Sequence, residues 1–179
     1  MDEQAAGSAI GPGAESATEM TELAPGPIRV LIAEDQALLR ASFAALMNAE
    51  TDLHVVGRAA DGAQAVALAS RLRPDVVVMD IQMPGLSGIE ATRRICADSA
   101  LAGTRVLVLT MFEVEDYMLG ALRAGASGFL LKDASPQAVV DAVRTVHAGQ
   151  SLLSPQVVTT LGARGGGGGA GTAAVGSGG

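Results

Sequence analysis

The chain contains no tryptophan, one tyrosine and three phenylalanines in 179 residues. Any core it forms is therefore aliphatic, built from Val, Leu, Ile, Met and Ala. A single cysteine, Cys96, rules out an intramolecular disulfide, which fits a reducing, cytoplasmic compartment. As a lone thiol, Cys96 is expected to be a buried, inert core residue. Only two histidines are present, His54 and His147, and neither has a second histidine at metal-binding spacing, so both are expected at the surface or its boundary. No uninterrupted apolar run approaches 18 residues, so no membrane span is expected. The N-terminus lacks the basic region and apolar stretch of a secretory signal. Basic segments are also missing. The formal net charge is -7, and nucleic-acid binding, which draws its affinity from phosphate neutralisation, is not expected of this chain.

What is there divides into three parts. Residues 1–27 carry Asp2, Glu3, Glu15, Glu19 and Glu22 with no Lys or Arg, mixed with Gly, Pro, Ser and Thr without periodicity. They read as a disordered acidic tail. Residues 28–150 read as one folded domain, and residues 151–179 as a short helical turn near 155–161 followed by a Gly-rich flexible coil.

Between the tails, strand-like and helix-like segments alternate. Apolar runs at 28–33, 53–59, 76–79, 105–110 and 127–132 read as strands, most of them fully buried. Helical spacing places helices near 36–50, 63–72, 89–98, 114–124 and 136–147. Asp61-Gly62 reads as a turn, Pro74 as a helix terminator, and Gly125 as the residue closing the fourth helix. Ser135 is placed to cap the last helix, with Pro136 at its first position. Five β-α repeats imply an α/β fold, a doubly wound five-stranded parallel sheet with helices on both faces. Its ligand site lies beyond the carboxyl ends of the strands.

Polar residues stand at four of those ends: Glu34-Asp35 after the first strand, Asp80 after the third, Thr110 after the fourth and Lys132 after the fifth. One polar residue after a buried strand is ordinary solvation of a loop. Three acids, a hydroxyl and a lysine at four converging ends form a constellation. Three adjacent carboxylates resist ionising together. A divalent cation relieves that conflict, and Mg2+ in particular takes oxygen ligands from one or two carboxylates and water. A carboxylate can also be a nucleophile, and phosphoryl transfer depends mainly on positioning and charge neutralisation.

The motifs AEDQ (33–36), MDIQMPGLSGIEATRRI (79–95), VLVLT (106–110) and GALRAGASGFLLKDA (120–134) resemble those of a bacterial two-component response regulator. The resemblance is to the receiver domain of the branch with a LuxR-type output (NarL/FixJ-like), and covers about residues 28–150. It implies a flavodoxin-like strand order 2-1-3-4-5. It also implies that Asp80 accepts a phosphoryl group from a histidine kinase, and that Glu34, Asp35, Asp80 and the backbone carbonyl of Gln82 hold Mg2+. Lys132 would pair with the phosphorylated aspartate, Thr110 would move toward the phosphoryl group, and Phe129 would switch inward behind it. Pro84 and Gly88 would shape the loop after the acceptor. The resemblance implies no enzyme beyond Mg2+-dependent self-phosphorylation and autodephosphorylation. A second copy could dock on the surface of the fourth helix, fifth strand and fifth helix after phosphorylation.

Two departures matter. The residue after Thr110 is often small in this family and here is Met111, whose bulk would slow dephosphorylation. The helix-turn-helix output domain of this branch is not recognisable between Gln150 and Gly179, so DNA binding is not expected from this chain itself. Three other classes fit the residues less well. An aspartate-nucleophile hydrolase of the haloacid-dehalogenase type needs a second acid two residues after the nucleophile, where Gln82 stands. A degenerate receiver acting only as a binding module would not need Asp35, Asp80, Thr110 and Lys132 intact. A dinucleotide-binding domain is disfavoured because AEDQ replaces the glycine-rich turn. The pair Arg93-Arg94 reads as a solvated helix face. Met118, Leu119, Leu122, Val139, Val140 and Val143 read as core or packing surface.

Overall fold

The computed structural model describes residues 25–111 and 115–152. The expected helical turn at 155–161 and nearly all of both tails lie outside those residues. The elements are β1 (Ile28–Ala33), α1 (Ala37–Asn48), β2 (Leu53–Ala59), α2 (Gly62–Leu72), β3 (Val76–Asp80), α3 (Gly88–Ala97), β4 (Arg105–Thr110), α4 (Glu115–Ala124), β5 (Gly128–Leu131) and α5 (Pro136–His147). A short 3-10 turn, Ser99–Leu101, precedes β4 and was not foreseen. All strands are parallel and the order is β2-β1-β3-β4-β5. This is the doubly wound parallel sheet that the alternating pattern predicts, in the flavodoxin-like order that the resemblance implies.

Strand side chains alternate between the two faces, so each strand feeds two cores. Leu31, Ala33, Val77, Met79, Val106 and Val108 pack against α2, α3 and α4. Val30, Ile32, Val76, Val78, Leu107 and Leu109 pack against α1 and α5 through Phe43, Met47, Val139, Val143 and Val146. Every residue of β3 is buried, which is why it reads as an unbroken apolar run. At about 25 cal/mol per Å2 of apolar surface, each large side chain here contributes roughly 1.5–3 kcal/mol before entropy is subtracted.

Helix ends follow local chemistry. Asp61 is not a turn residue but the N-cap of α2, its carboxylate accepting from the Gln64 amide at 2.8 Å. Ser87 and Ser135 cap α3 and α5 in the same way, with Pro136 opening α5 as expected. The α2 terminator is Arg73, in the left-handed region at φ 47°, just before Pro74. Helix α1 differs: its N-cap, Gln36, makes no side-chain cap and no acid lies in the first turn.

The two sheet edges are finished differently. Strand β2 carries exposed His54 and Arg58 and is bulged where Val30 pairs with Val55 and Leu31 with Gly57. At the other edge the chain beyond α5 returns to β5. Leu152 forms a parallel bridge with Gly128, accepts from the Phe129 amide at 3.1 Å and donates to Ser127 at 3.1 Å.

Candidate functional site

Register brings the strand ends level. Ala33 pairs with Met79, Asp80 with Leu109, and Thr110 with Leu131. The next residues outward, Glu34 and Lys132, therefore flank Asp80 at the carboxyl edge of the sheet. Lys132 Nζ lies 2.5 Å from Glu34 Oε2 and 3.2 Å from Asp80 Oδ2, and all three side chains are buried. Glu34, Asp35 and Asp80 each offer a carboxylate oxygen within 4.8 Å of the others, with Asp35 exposed to solvent. The sequence grouping of these four residues is thus a spatial one.

Thr110 is buried beside them, and its carbonyl accepts from the Lys132 amide at 2.8 Å. Phe129 is buried in the core on the α2–α4 face of the sheet, and its amide donates to the Leu152 carbonyl. Gln82 is exposed; its amide donates to Asp80 Oδ1 at 3.3 Å, and its side-chain nitrogen donates to the Tyr117 hydroxyl at 3.4 Å. Met111 is exposed next to Thr110.

The loop between β3 and α3 is held by close backbone approach. A Cβ at Gly88 would stand 1.8 Å from the Asp80 carbonyl oxygen, and one at Gly62 would stand 2.2 Å from that of Leu86. No side chain fits at either place, so these glycines fix the loop that follows Asp80.

Burial pushes the Asp80 carboxyl above the ordinary range, against the opposing pull of Lys132 and the Gln82 amide. Glu34 is also raised by burial, opposed by hydrogen bonds from Lys132 and the Gln36 amide and reinforced by the Asp80 charge. One lysine therefore serves two buried acids with a third nearby. That imbalance is what a hard cation corrects, and an all-oxygen donor set suits Mg2+.

The family model described as the response regulator receiver domain matches residues 30–144. The chain belongs to that family. It is 46% identical over 126 residues to the uncharacterized transcriptional regulatory protein YxjL of Bacillus subtilis, covering 70% of this chain and 57% of that one. It is 38% identical over 135 residues to the oxygen regulatory protein NreC of Staphylococcus carnosus, covering 75% and 61% respectively. The chain thus spans about three fifths of the length of these curated relatives. Among solved structures, a LuxR-family two-component response regulator from Aurantimonas superposes with a TM-score of 0.70 at 32% identity, over 78% of this chain and 98% of that one. The receiver domain of the NarL response regulator from Mycobacterium tuberculosis gives 0.67 at 33% identity, over 70% and 100%. Phosphoryl acceptance is the general function of this domain.

Other residues fall partly as expected. His54 and His147 are exposed. Leu119, Val139, Val140 and Val143 are buried, while Met118 and Leu122 are half-buried. Arg93 and Arg94 are exposed and pair with Glu90 on the same helix. Cys96 needs correction: it is exposed on α3, not a core residue. Its Sγ rests 3.5 Å from the Gly125 carbonyl, and partial desolvation raises the thiol pKa. No helix among the described residues is long and apolar enough to cross a membrane.

Two contributors were not found from sequence. Tyr117 reaches Gln82, and Arg40 bonds backbone carbonyls beside the acidic pair: Nη1 lies 2.7 Å from Glu34 O and 3.4 Å from Asp35 O. The partners of Arg40 are backbone carbonyls, the same for every residue type, so a spacing motif does not reveal them.

Proposed function

We propose that Asp80 accepts a phosphoryl group from a histidine kinase phosphohistidine and that the domain switches conformation in response. The observation that carries this reading is the buried Lys132 ammonium bridging the Glu34 and Asp80 carboxylates at the sheet edge. An Asp80 carboxylate oxygen forms the new bond to phosphorus while the phosphorus–nitrogen bond of the donor breaks and the imidazole leaves, taking up a proton. Mg2+ would be held by Asp35, Asp80, Glu34 and the Gln82 backbone carbonyl, and when bound it supplies charge neutralisation to the transferring group. Lys132 is already between two acids and is placed to exchange its Asp80 contact for a phosphoryl oxygen. Thr110, buried alongside, would donate to another.

We take residues 28–150 as the switching unit. Phosphorylation biases a pre-existing two-state equilibrium. Thr110 and Phe129 would carry that bias to the surface of α4, β5 and α5, where a second copy docks. Relatives named as transcriptional regulators point to transcription as the process served. Exposed Gln82, in place of a second catalytic acid, argues against the hydrolase reading. Retention of all four charged and hydroxyl groups argues against a degenerate receiver.

Intact mass after incubation with Mg2+ and a small phosphodonor tests the reading. The expected result is a gain of one phosphoryl group, absent in Asp80→Asn and absent with chelator. A folded wild type that gains nothing overturns it. Met111 adds a finer expectation: Met111→Gly shortens the lifetime of the phosphorylated form, and an unchanged lifetime removes the steric role.

A further inference from the structure

Helix α1 has an apolar stripe at helical spacing, with Phe43, Ala44 and Met47 buried against the sheet. The position one turn earlier on that stripe is residue 40, where an apolar side chain would extend the packing. An arginine stands there instead, half-buried. Its guanidinium turns back past the helix start, and one nitrogen meets two successive carbonyls, those of Glu34 and Asp35. These are the two acids of the β1–α1 loop.

That loop has little else to hold it. Gln36 supplies no side-chain cap, and the first turn of α1 has no acid. Other restraints are the Gln36 amide on Glu34 Oε1 at 3.1 Å, the Glu34 amide on Ala59 O at 3.0 Å, the Arg40 amide on Gln36 O at 2.9 Å, Lys132 on the Glu34 carboxylate, and a close side-chain contact between Glu34 and Asp35. None of the backbone restraints among these falls on Asp35, whose carboxylate must meet those of Glu34 and Asp80 while exposed. Fixing the Asp35 carbonyl restricts rotation of its peptide plane, and so the direction of its Cα–Cβ bond.

We infer that Arg40 is a positioning residue for the cation site, clamping the Glu34 and Asp35 backbone so that their carboxylates converge with that of Asp80 before any ion arrives. Groups that orient metal-binding side chains without touching the metal typically alter affinity by about 10- to 100-fold. The inference rests on the Mg2+ reading above.

The test is calorimetric titration of the full chain with MgCl2, with thermal unfolding recorded on the same samples. Arg40→Met keeps the length and apolar stem but loses the donors. Its expected Mg2+ dissociation constant is about tenfold higher than wild type. Arg40→Lys keeps a charge but loses the planar fork, and is expected to lie between the two. Arg144→Met, a cation removed from the far end of α5, is expected to leave Mg2+ affinity unchanged while lowering thermal stability. Folded Arg40→Met binding Mg2+ like wild type overturns the inference. If Arg40→Met does not fold, Arg40→Lys decides: weaker binding with retained melting temperature supports the clamp, and wild-type affinity removes it. Wild type that binds no Mg2+ overturns the cation-site reading itself, and the clamp with it.

Discussion

Two clusters in this molecule share a composition and differ in everything else. At the sheet edge, buried Lys132 meets Glu34 and Asp80, with Asp35 nearby. On the surface, Arg144 of α5 meets Glu50 and Asp52 from the α1–β2 connection and Asp141 one turn away. Each is one cation among three acids. In the first, burial raises the carboxyls of Glu34 and Asp80. In the second, hydrogen bonds from Arg144 lower that of Asp52, and the guanidinium is held still more firmly protonated. The difference shows what burial does to the same charges. In water's reach, a planar guanidinium satisfies its acids and closes a long-range clasp between α5 and the start of β2. Away from water, a single ammonium leaves the acids under-neutralised and ready for another cation.

The sharpest way to break the comparison is to remove each cation. Lys132→Met strands two buried acids and is expected to lower unfolding free energy in chelator by about 3 kcal/mol, with part recovered on adding Mg2+. Chemical denaturation with and without Mg2+ measures both. Asp80→Asn acts oppositely: relieving the like charges is expected to raise stability in chelator by about 1 kcal/mol, while abolishing the phosphoryl adduct. A variant that loses function and gains stability would mark the buried cluster as held against the fold's own preference. Arg144→Met is expected to give a smaller fall in melting temperature than Lys132→Met, weakened further by salt, since exposed pairs contribute little.

The weakest effect, and the most discriminating in sign, is the pH profile in chelator. Glu34 and Asp80 have raised folded pKa values, so the folded state binds more protons than the unfolded state over that window. Their contribution is lost as pH rises through the folded values, above the ordinary carboxylate range. Asp52 has a lowered folded pKa, so its contribution is present above the unfolded value and lost as pH falls through the folded one. Stability against pH should flatten on its upper side in Asp80→Asn and on its acid side in Arg144→Met. Two profiles that flatten on the same side would dissolve the contrast.

The buried cluster was legible in the sequence and the surface one was not, for a physical reason. A parallel sheet announces itself through unbroken apolar runs such as 76–79, and each run ends where polar chemistry begins. Asp35, Asp80, Thr110 and Lys132 could therefore be placed together before any coordinates. Arg144 meets Asp52 across 92 residues of chain through a helix face and a loop, with nothing in local pattern to pair them. Arg40 was hidden because its partners are carbonyls. Asp61 was misread because Asp-Gly serves turns and helix starts alike, and only the Gln64 amide decides which. The roles of Gly62 and Gly88 depend on where another segment's backbone passes, which no local window contains. Cys96 was placed in the core on residue type alone, though the buried stripe of α3 falls on Ala91, Thr92 and Ile95.

The returning Leu152 has a consequence for solubility. Open β-edges are templates on which foreign strands add, and long parallel sheets are exposed to that hazard. Here one margin is guarded by His54, Arg58 and a bulge, and the other is occupied at Ser127 and Phe129 by the protein's own chain. Addition of a foreign strand is therefore hindered at both margins of the sheet, by charge and irregular register at one and by self-pairing at the other.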